Sequence, residues 1–596
     1  MQKYSLNQYP IEIVLGWVTS GEIAIPEIQR PFVWDSSKVR DFMDSLYQGY
    51  PVGYVIAWRN PNVRLKDGSL SEGKKILIDG QQRVTALTAA ILGQYVVDKT
   101  YQRVKIKIAF NPISEKFEVQ NSANLNDKTW IPDISELISG NVGLLKSVRQ
   151  YLNFNPEANE DQVEKAFTDL NNITKKPIGM IELASDLDIE TVTEIFIRIN
   201  SKGVVLSQAD FAMSKIASNT EYGGNELRKA IDYFCHLAIA PEFFKHIIDN
   251  DTEFAATEYF HKMKWLKSEN EDLYDPEYTD LIRVAFTSQF NRGRLSDLVS
   301  LLSGRNFETR TFEQSIAEQS FKTLEKGVHS FINETNFKRF LMIIKSAGFI
   351  SPKLIRSKNA LNFAYILYLK LKDQGVPEVL IGSYVPKWLV YSMLSGRYSG
   401  SPESVFDYDI KQIAQKSFDA YLKENENAEL SDAFWQFSLP QSLDTSVASS
   451  PYFHVFLASQ VKANDRGFLS KDVLVGDLIS LRGDIHHLFP KDYLKKNDLG
   501  RGDYNQIANY VYMQSEINIK VGNKAPNDYF GSIMEQISSG NLHLSGINNI
   551  DDLKANLESN CVPYEIIDMG IDSYQDFLSK RRKLMADKIR NYYFSL

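Results

Sequence analysis

The sequence predicts an α+β chain that is predominantly helical, and three stretches carry that expectation. Residues 75–91 read as a buried strand, a tight turn and a helix. From about 220 to 400 the apolar residues recur at helical spacing with few strand signals. Near the C-terminus, paired histidines precede a strand pattern and a short helix pattern, a compact ββα arrangement. The length of 596 residues is too great for one core and suggests about three to four units. The segmentation expected is 1–220, 221–400 and 401–596, with Gly/Ser/Pro-dense 396–404 and Glu/Asn-dense 423–432 as boundary candidates.

Composition narrows the class. With 43% hydrophobic and 24% charged residues, a folded globular chain is the expectation. Its two cysteines, Cys235 and Cys561, form no Cys-x-x-Cys pair, so a zinc-thiolate site and a disulfide framework are disfavoured and a reducing cytoplasm is expected. The opening MQKYSLNQYPIEIVLGW lacks the pattern of a signal peptide, and no long apolar run predicts a membrane span. A net charge of −8 argues against nonspecific coating of nucleic acid but leaves room for a local basic groove.

In chain order, residues 13–24 predict a short helix. Residues 25–35 hold two prolines, which keep Gln29 and Arg30 on an extended strap. Val39, Phe42, Met43 and Leu46 predict a helix over 36–47, and Tyr54–Trp58 a strand. Gly68 to Lys75 nearly matches a phosphate-binding P-loop, but Lys75 stands where Ser or Thr belongs and the loop precedes a strand instead of following one. In Ile76-Leu77-Ile78-Asp79-Gly80-Gln81-Gln82-Arg83, the apolar run predicts the strand and Gly80 permits the turn. Val84, Leu87 and Ile91 predict the helix. A cation and two amides at a helix start suit an anion; a hydrogen-bonded polar turn is the plainer alternative.

Val104, Ile106, Ile108 and Phe110 alternate with Arg103, Lys105 and Lys107, predicting one half-buried strand with a basic outer face. A helix around 160–170, a strand over 177–183, a helix over 191–199 and a capping box at Ser207–Asp210 follow. Lys338, Arg339, Lys345, Lys353, Arg356 and Lys358 form one basic neighbourhood, and Lys580, Arg581, Arg582, Lys583, Lys588 and Arg590 another on the last helix; each suits either phosphates or solvent.

Two of the eight histidines are adjacent, in Gly483-Asp484-Ile485-His486-His487-Leu488-Phe489-Pro490. In an extended segment their side chains point oppositely, so one imidazole can bind metal while the other faces substrate. Asn505, Asn509 and Asn518 follow, and magnesium suits such a nitrogen/oxygen donor set. A pair of structural histidines is the alternative.

These stretches together resemble a known pairing. Ile28 to Trp34, Ile78 to Arg83 and Phe196 to Ser207 resemble the N-terminal, ParB-like domain of GmrSD-type modification-dependent (type IV) restriction enzymes. Residues around 440–590 are similar to that family's HNH nuclease domain, and SspE- and BrxU-like phage-defence proteins share the layout in one chain. The resemblance implies a ParB-like NTP-binding sensor over 1–220, a helical connection over 221–400 and an HNH domain over 401–596. It implies nucleotide binding (GTP or ATP) and hydrolysis at Gln29, Arg30, Asp79, Gly80, Gln81, Gln82 and Arg83. His487 takes the general-base position, Asn509 the base-orienting one, and His486 and Asn518 the positions of ligands to Mg2+ or Mn2+. HNH enzymes often have aspartate where His486 stands and histidine where Asn518 stands. The partners implied are double-stranded, modified DNA and a nucleoside triphosphate, with no membrane and with a homodimer allowed. The function expected is an NTP-regulated, metal-dependent endonuclease restricting modified or foreign DNA. The alternative is a nucleotide-dependent DNA-binding switch with a weak or inactive HNH domain, and an RNA-cutting toxin ranks third because nothing resembles an RNA-binding module.

Overall fold

The computed structural model describes residues 3–24, 34–59, 75–97, 103–139, 143–187, 207–219, 221–268, 273–481, 483 and 485–596. The chain forms two compact units, Met1–Arg228 and Lys229–Leu596. Gln29, Arg30, the expected helix over 191–199, residues 200–206 and most of the P-loop-like segment lie outside the described residues. Helix dominates, with small sheets, as the sequence predicts.

The first unit is built on a mixed five-stranded sheet. Its strands are β1 (Tyr4–Pro10), β2 (Ile23–Ala24), β3 (Tyr54–Arg59), β4 (Lys75–Asp79) and, later in the chain, Pro177–Leu183, in the order β1, Pro177–Leu183, β3, β4, β2. β4 pairs antiparallel with β3 and parallel with β2. Helices Ile11–Thr19, Ser36–Tyr47, Gln81–Leu92 and Glu160–Asn171 supply buried Val14, Val39, Met43, Val84, Leu87 and Phe167 to one core. Asp35 caps the second of these through Lys38 N, and the predicted box at Ser207–Asp210 forms.

Residues 103–111 are not a single alternating strand: Arg103–Lys105 pairs with Tyr95–Val97, whereas Ile108–Asn111 pairs with Lys116–Val119 and is buried along its whole length. The chain changes partner at Ile106–Lys107, so the second half has no solvated basic face. Lys75 is also settled: its ammonium lies 2.6 Å from Glu182 and 3.9 Å from the centre of the Trp17 ring, a structural ion pair within the sheet.

The second unit is helical. Lys358–Asp373 is buried on almost every side and packs against Tyr278–Phe290 and Glu378–Ser395. Across 396–404, Arg397 forms a bidentate pair with fully buried Asp409, whose carboxylate also accepts from Tyr398 and Tyr421. Residues 423–429 are helix, the end of Phe418–Glu429. The helices Pro451–Lys462 and Tyr574–Ser595 pack together and flank a small hairpin of Ile485–His487 and Tyr510–Tyr512. Both cysteines are buried and unbridged. Among the described residues, no helix is long and apolar enough to cross a membrane.

Candidate functional site

In the second unit the paired histidines sit on the hairpin strand Ile485–His487, as the alternation requires. His487 lies opposite Tyr510 and His486 opposite Val511, so their side chains leave opposite faces. Both are half-buried. The residues that follow anchor them: Leu488 and Phe489 are buried, Phe489 rests between Tyr574 and Phe577, and the Tyr529 hydroxyl donates to Leu488 O at 3.0 Å. Two hydrophobic residues thus fix a strand end whose polar residues stay near the surface.

The asparagines divide the work differently from the family pattern. Asn505 Oδ1 lies 3.1 Å from His487 Nε2. With that oxygen accepting, Nε2 carries the proton and Nδ1 keeps its lone pair. Asn509 is fully buried and makes no bond to His487. Its amide oxygen accepts from Phe489 N at 2.8 Å, and its nitrogen donates to Phe489 O and Tyr504 O at 3.1 and 3.2 Å. Its own carbonyl accepts from Leu488 N at 2.8 Å. Asn509 therefore clamps the loop, and Asn505 holds the imidazole. Residue type alone does not separate the two, which stand four residues apart.

Burial, reinforced by the nearby Lys491 and His486 charges, holds His487 below the ordinary imidazole range, and the Asn505 bond works in the opposite direction. The ring meets Tyr510 edge-on at 5.2 Å and lies 6.5 Å from Tyr504. Asn518 sits half-buried on Ser515–Val521, the helix that follows the second hairpin strand. Strand, strand and helix thus occur in the predicted order. Among the described residues there is no cluster of three or more His, Cys, Asp or Glu side chains suited to a metal. His486 and Asn518 offer one imidazole nitrogen and one amide oxygen.

The basic last helix holds no phosphate cradle. Lys580 pairs with Asp576, Arg582 with Asp444, Lys588 with Asp465 and Arg590 with Asp432. Arg581 is entirely buried and donates to Ala508 O at 2.7 Å and Asn560 O at 3.2 Å; burial draws it down to about 10. In the neighbourhood around 338–358, Lys338 pairs with Glu334, Arg339 with Glu378 and Lys358 with Asp280. Carboxylates thus pair with four of the six cations of the last helix and with three of the six around 338–358.

In the first unit, β4 ends at Asp79, Gly80 turns the chain at φ 85°, and Gln81–Leu92 begins. A Cβ on Gly80 would meet Val55 atoms at 3.0 and 3.1 Å, so the turn needs glycine for space as well as for backbone angle. Arg83 lies over Gly53 and donates to Tyr54 O at 3.0 Å, with Asp79 Oδ2 3.8 Å away. The Arg83 and Asp79 side chains keep 29% and 32% exposure, enough for both to reach a ligand. Gln81 instead turns back, donating to Leu77 O at 2.8 Å, and Gln82 is half-buried.

Comparison with known proteins bears on this unit. At 22% identity, an uncharacterised protein of Methanocaldococcus jannaschii aligns over 96% of this chain and 96% of its own length. Residues 14–217, spanning β2, β3, β4 and the Asp79–Arg83 turn, match the N-terminal domain of the GmrSD restriction endonuclease. The likeness to the GmrSD restriction endonuclease is thus carried by the first unit, over residues 14–217.

Proposed function

We propose that the protein is an NTP-regulated, metal-dependent DNA endonuclease that cuts modified or foreign DNA, with an HNH-type site on the Ile485–His487 hairpin and a ParB-like sensor in the first unit. The observation that carries the reading is the His487–Asn505 bond, which leaves a neutral imidazole with one nitrogen committed and the other available. His487 Nδ1 takes a proton from water, the resulting hydroxide attacks the phosphodiester phosphorus, and the leaving oxygen departs with one strand end. Asn505 keeps the ring turned for that transfer, and Asn509 holds the loop that carries Asn505. His486 and Asn518 would hold Mg2+ or Mn2+, a donor pair that suits an ion otherwise bound by water and phosphate oxygens. When bound, such an ion supplies charge stabilisation to the pentavalent phosphorus and the leaving oxygen.

In the sensor, Arg83 and Gln82 would contact the phosphates of GTP or ATP and Asp79 would position water or metal. Gly80 lets the backbone approach them, and Gln81 braces the turn through Leu77. Gln29 and Arg30, which lie outside the described residues, complete the expected set. Nucleotide state then makes cutting conditional.

The test is cleavage of matched modified and unmodified duplexes, with and without each NTP, by wild type and His487→Ala. Loss of cutting in His487→Ala is expected, and cutting at the wild-type rate would refute the base. Nucleotide affinity unchanged in Arg83→Ala would refute the sensor. The absence of a three-residue ligand cluster among the described residues favours a second reading, a nucleotide-dependent DNA-binding switch with a weak nuclease. Metal-dependent cleavage of phage DNA by the purified chain separates the two.

A further inference from the structure

We propose that Lys491 grips the phosphodiester on which His487 acts, through a non-bridging oxygen, and that Lys495 beside it holds a flanking phosphate. The inference rests on His487 as the base and assigns that site its substrate-gripping residues. The short helix Lys491–Lys496 starts directly after Pro490, so its first residue is delivered next to the histidine pair. Lys491 and Lys495 stand four residues apart on one helix face. Their ammonium groups lie 5.6 and 5.7 Å from the centre of the same ring, Tyr504, which is itself 6.5 Å from the His487 ring.

Tyr504 is a fixed platform. It is buried, and its carbonyl accepts from the Asn509 amide that clamps the loop. A ring face under an ammonium restricts where the charge can go without neutralising it. Most cations of the C-terminal helix are neutralised instead, Lys580, Arg582, Lys588 and Arg590 each pairing with an aspartate. Among the described residues, Lys491 makes no ion pair, and Lys495 meets only Asp492, at 3.8 Å and half-exposed. Uncompensated positive charge held beside a general base has an obvious complement in the phosphate backbone. A lysine supplies a point charge to one oxygen and does not read the base.

The full chain tests this in two arms. In the first, affinity for a short blunt DNA duplex is measured without metal across about 50–200 mM salt. Lys491→Gln is expected to reduce the slope of log affinity against log salt by about one, and Lys491→Arg to restore it. Lys554→Gln, a lysine 5.8 Å from the Tyr564 ring on another helix, is expected to leave the slope unchanged. In the second arm, single-turnover cutting with Mg2+ is expected to fall at least ~10-fold in Lys491→Gln at saturating protein. An unchanged slope together with wild-type cutting overturns the assignment, even if His487→Ala is inactive. Should His487→Ala still cut, the base reading fails, and the salt slope alone then decides whether Lys491 contacts phosphate.

Discussion

Asn509→Ala should loosen the histidine hairpin while leaving the rest of its unit folded. The asparagine side chain is at zero exposure and serves three backbone groups: Phe489 N, Phe489 O and Tyr504 O. Alanine removes all three bonds and brings no water in to replace them. A buried polar group left without a partner costs about 1–3 kcal/mol, and neighbouring losses overlap, so the expected total is ~3 kcal/mol. At 1.4 kcal/mol per decade, that is roughly a hundredfold increase in opening. Hydrogen exchange read on peptides from 485–512 is the appropriate assay, because the effect is local and the chain has two units. Exchange there should accelerate by about two decades, with the helices Tyr278–Phe290 and Lys358–Asp373 unaffected. Asn509→Asp is the sharper variant: it keeps an acceptor for Phe489 N but turns a carboxylate toward two carbonyls, and it should do at least as much damage. Protection within threefold of wild type in both variants would refute the clamp.

Three other outcomes follow from the same structure. His454 is buried and held down to about 4, by burial first and then by Arg356. The unfolded chain takes up a proton near pH 6.5 that the folded state refuses, so stability is full above that value and falls by ~3 kcal/mol as pH drops toward 4. A pH series of urea melts should show that slope flattened in His454→Phe. Glu182→Gln should destabilise the first unit by ~3 kcal/mol, since Lys75 is left charged and buried, whereas Lys75→Met combined with Glu182→Leu should recover most of the loss in the same melt. Gly80→Ala should cost ~1–3 kcal/mol because of its φ of 85° and its contact with Val55, whereas Gly16→Ala, within a helix and with nothing inside 4 Å of the new methyl, should gain about 1 kcal/mol; thermal melts read the opposite signs.

Local patterns were legible where the deciding forces are local. The helix Ser36–Tyr47, the strand Pro177–Leu183 and the cap at Ser207 occur where spacing and capping residues place them. The strand expected across 104–110 fails for the opposite reason. Its alternation is compatible with one long strand, but pairing partners decide strand limits, and two different partners claim its halves. The basic last helix was ambiguous on the same grounds, because Asp444, Asp465 and Asp432 reach it from more than a hundred residues away.

At the candidate site the division is sharp. The order of residues alone determines that His486 and His487 face opposite ways and that β4, Gly80 and a helix form one turn, since strand alternation and glycine's backbone freedom act within a few residues. Only the tertiary structure decides that Asn505 meets His487 while Asn509 clamps the loop, and that Tyr504 gathers two lysines beside them. Both asparagines have the same chemistry. Which one reaches the imidazole depends on how the hairpin closes over the intervening residues, and that closure is set by the buried contacts of Phe489, Tyr529 and Arg581.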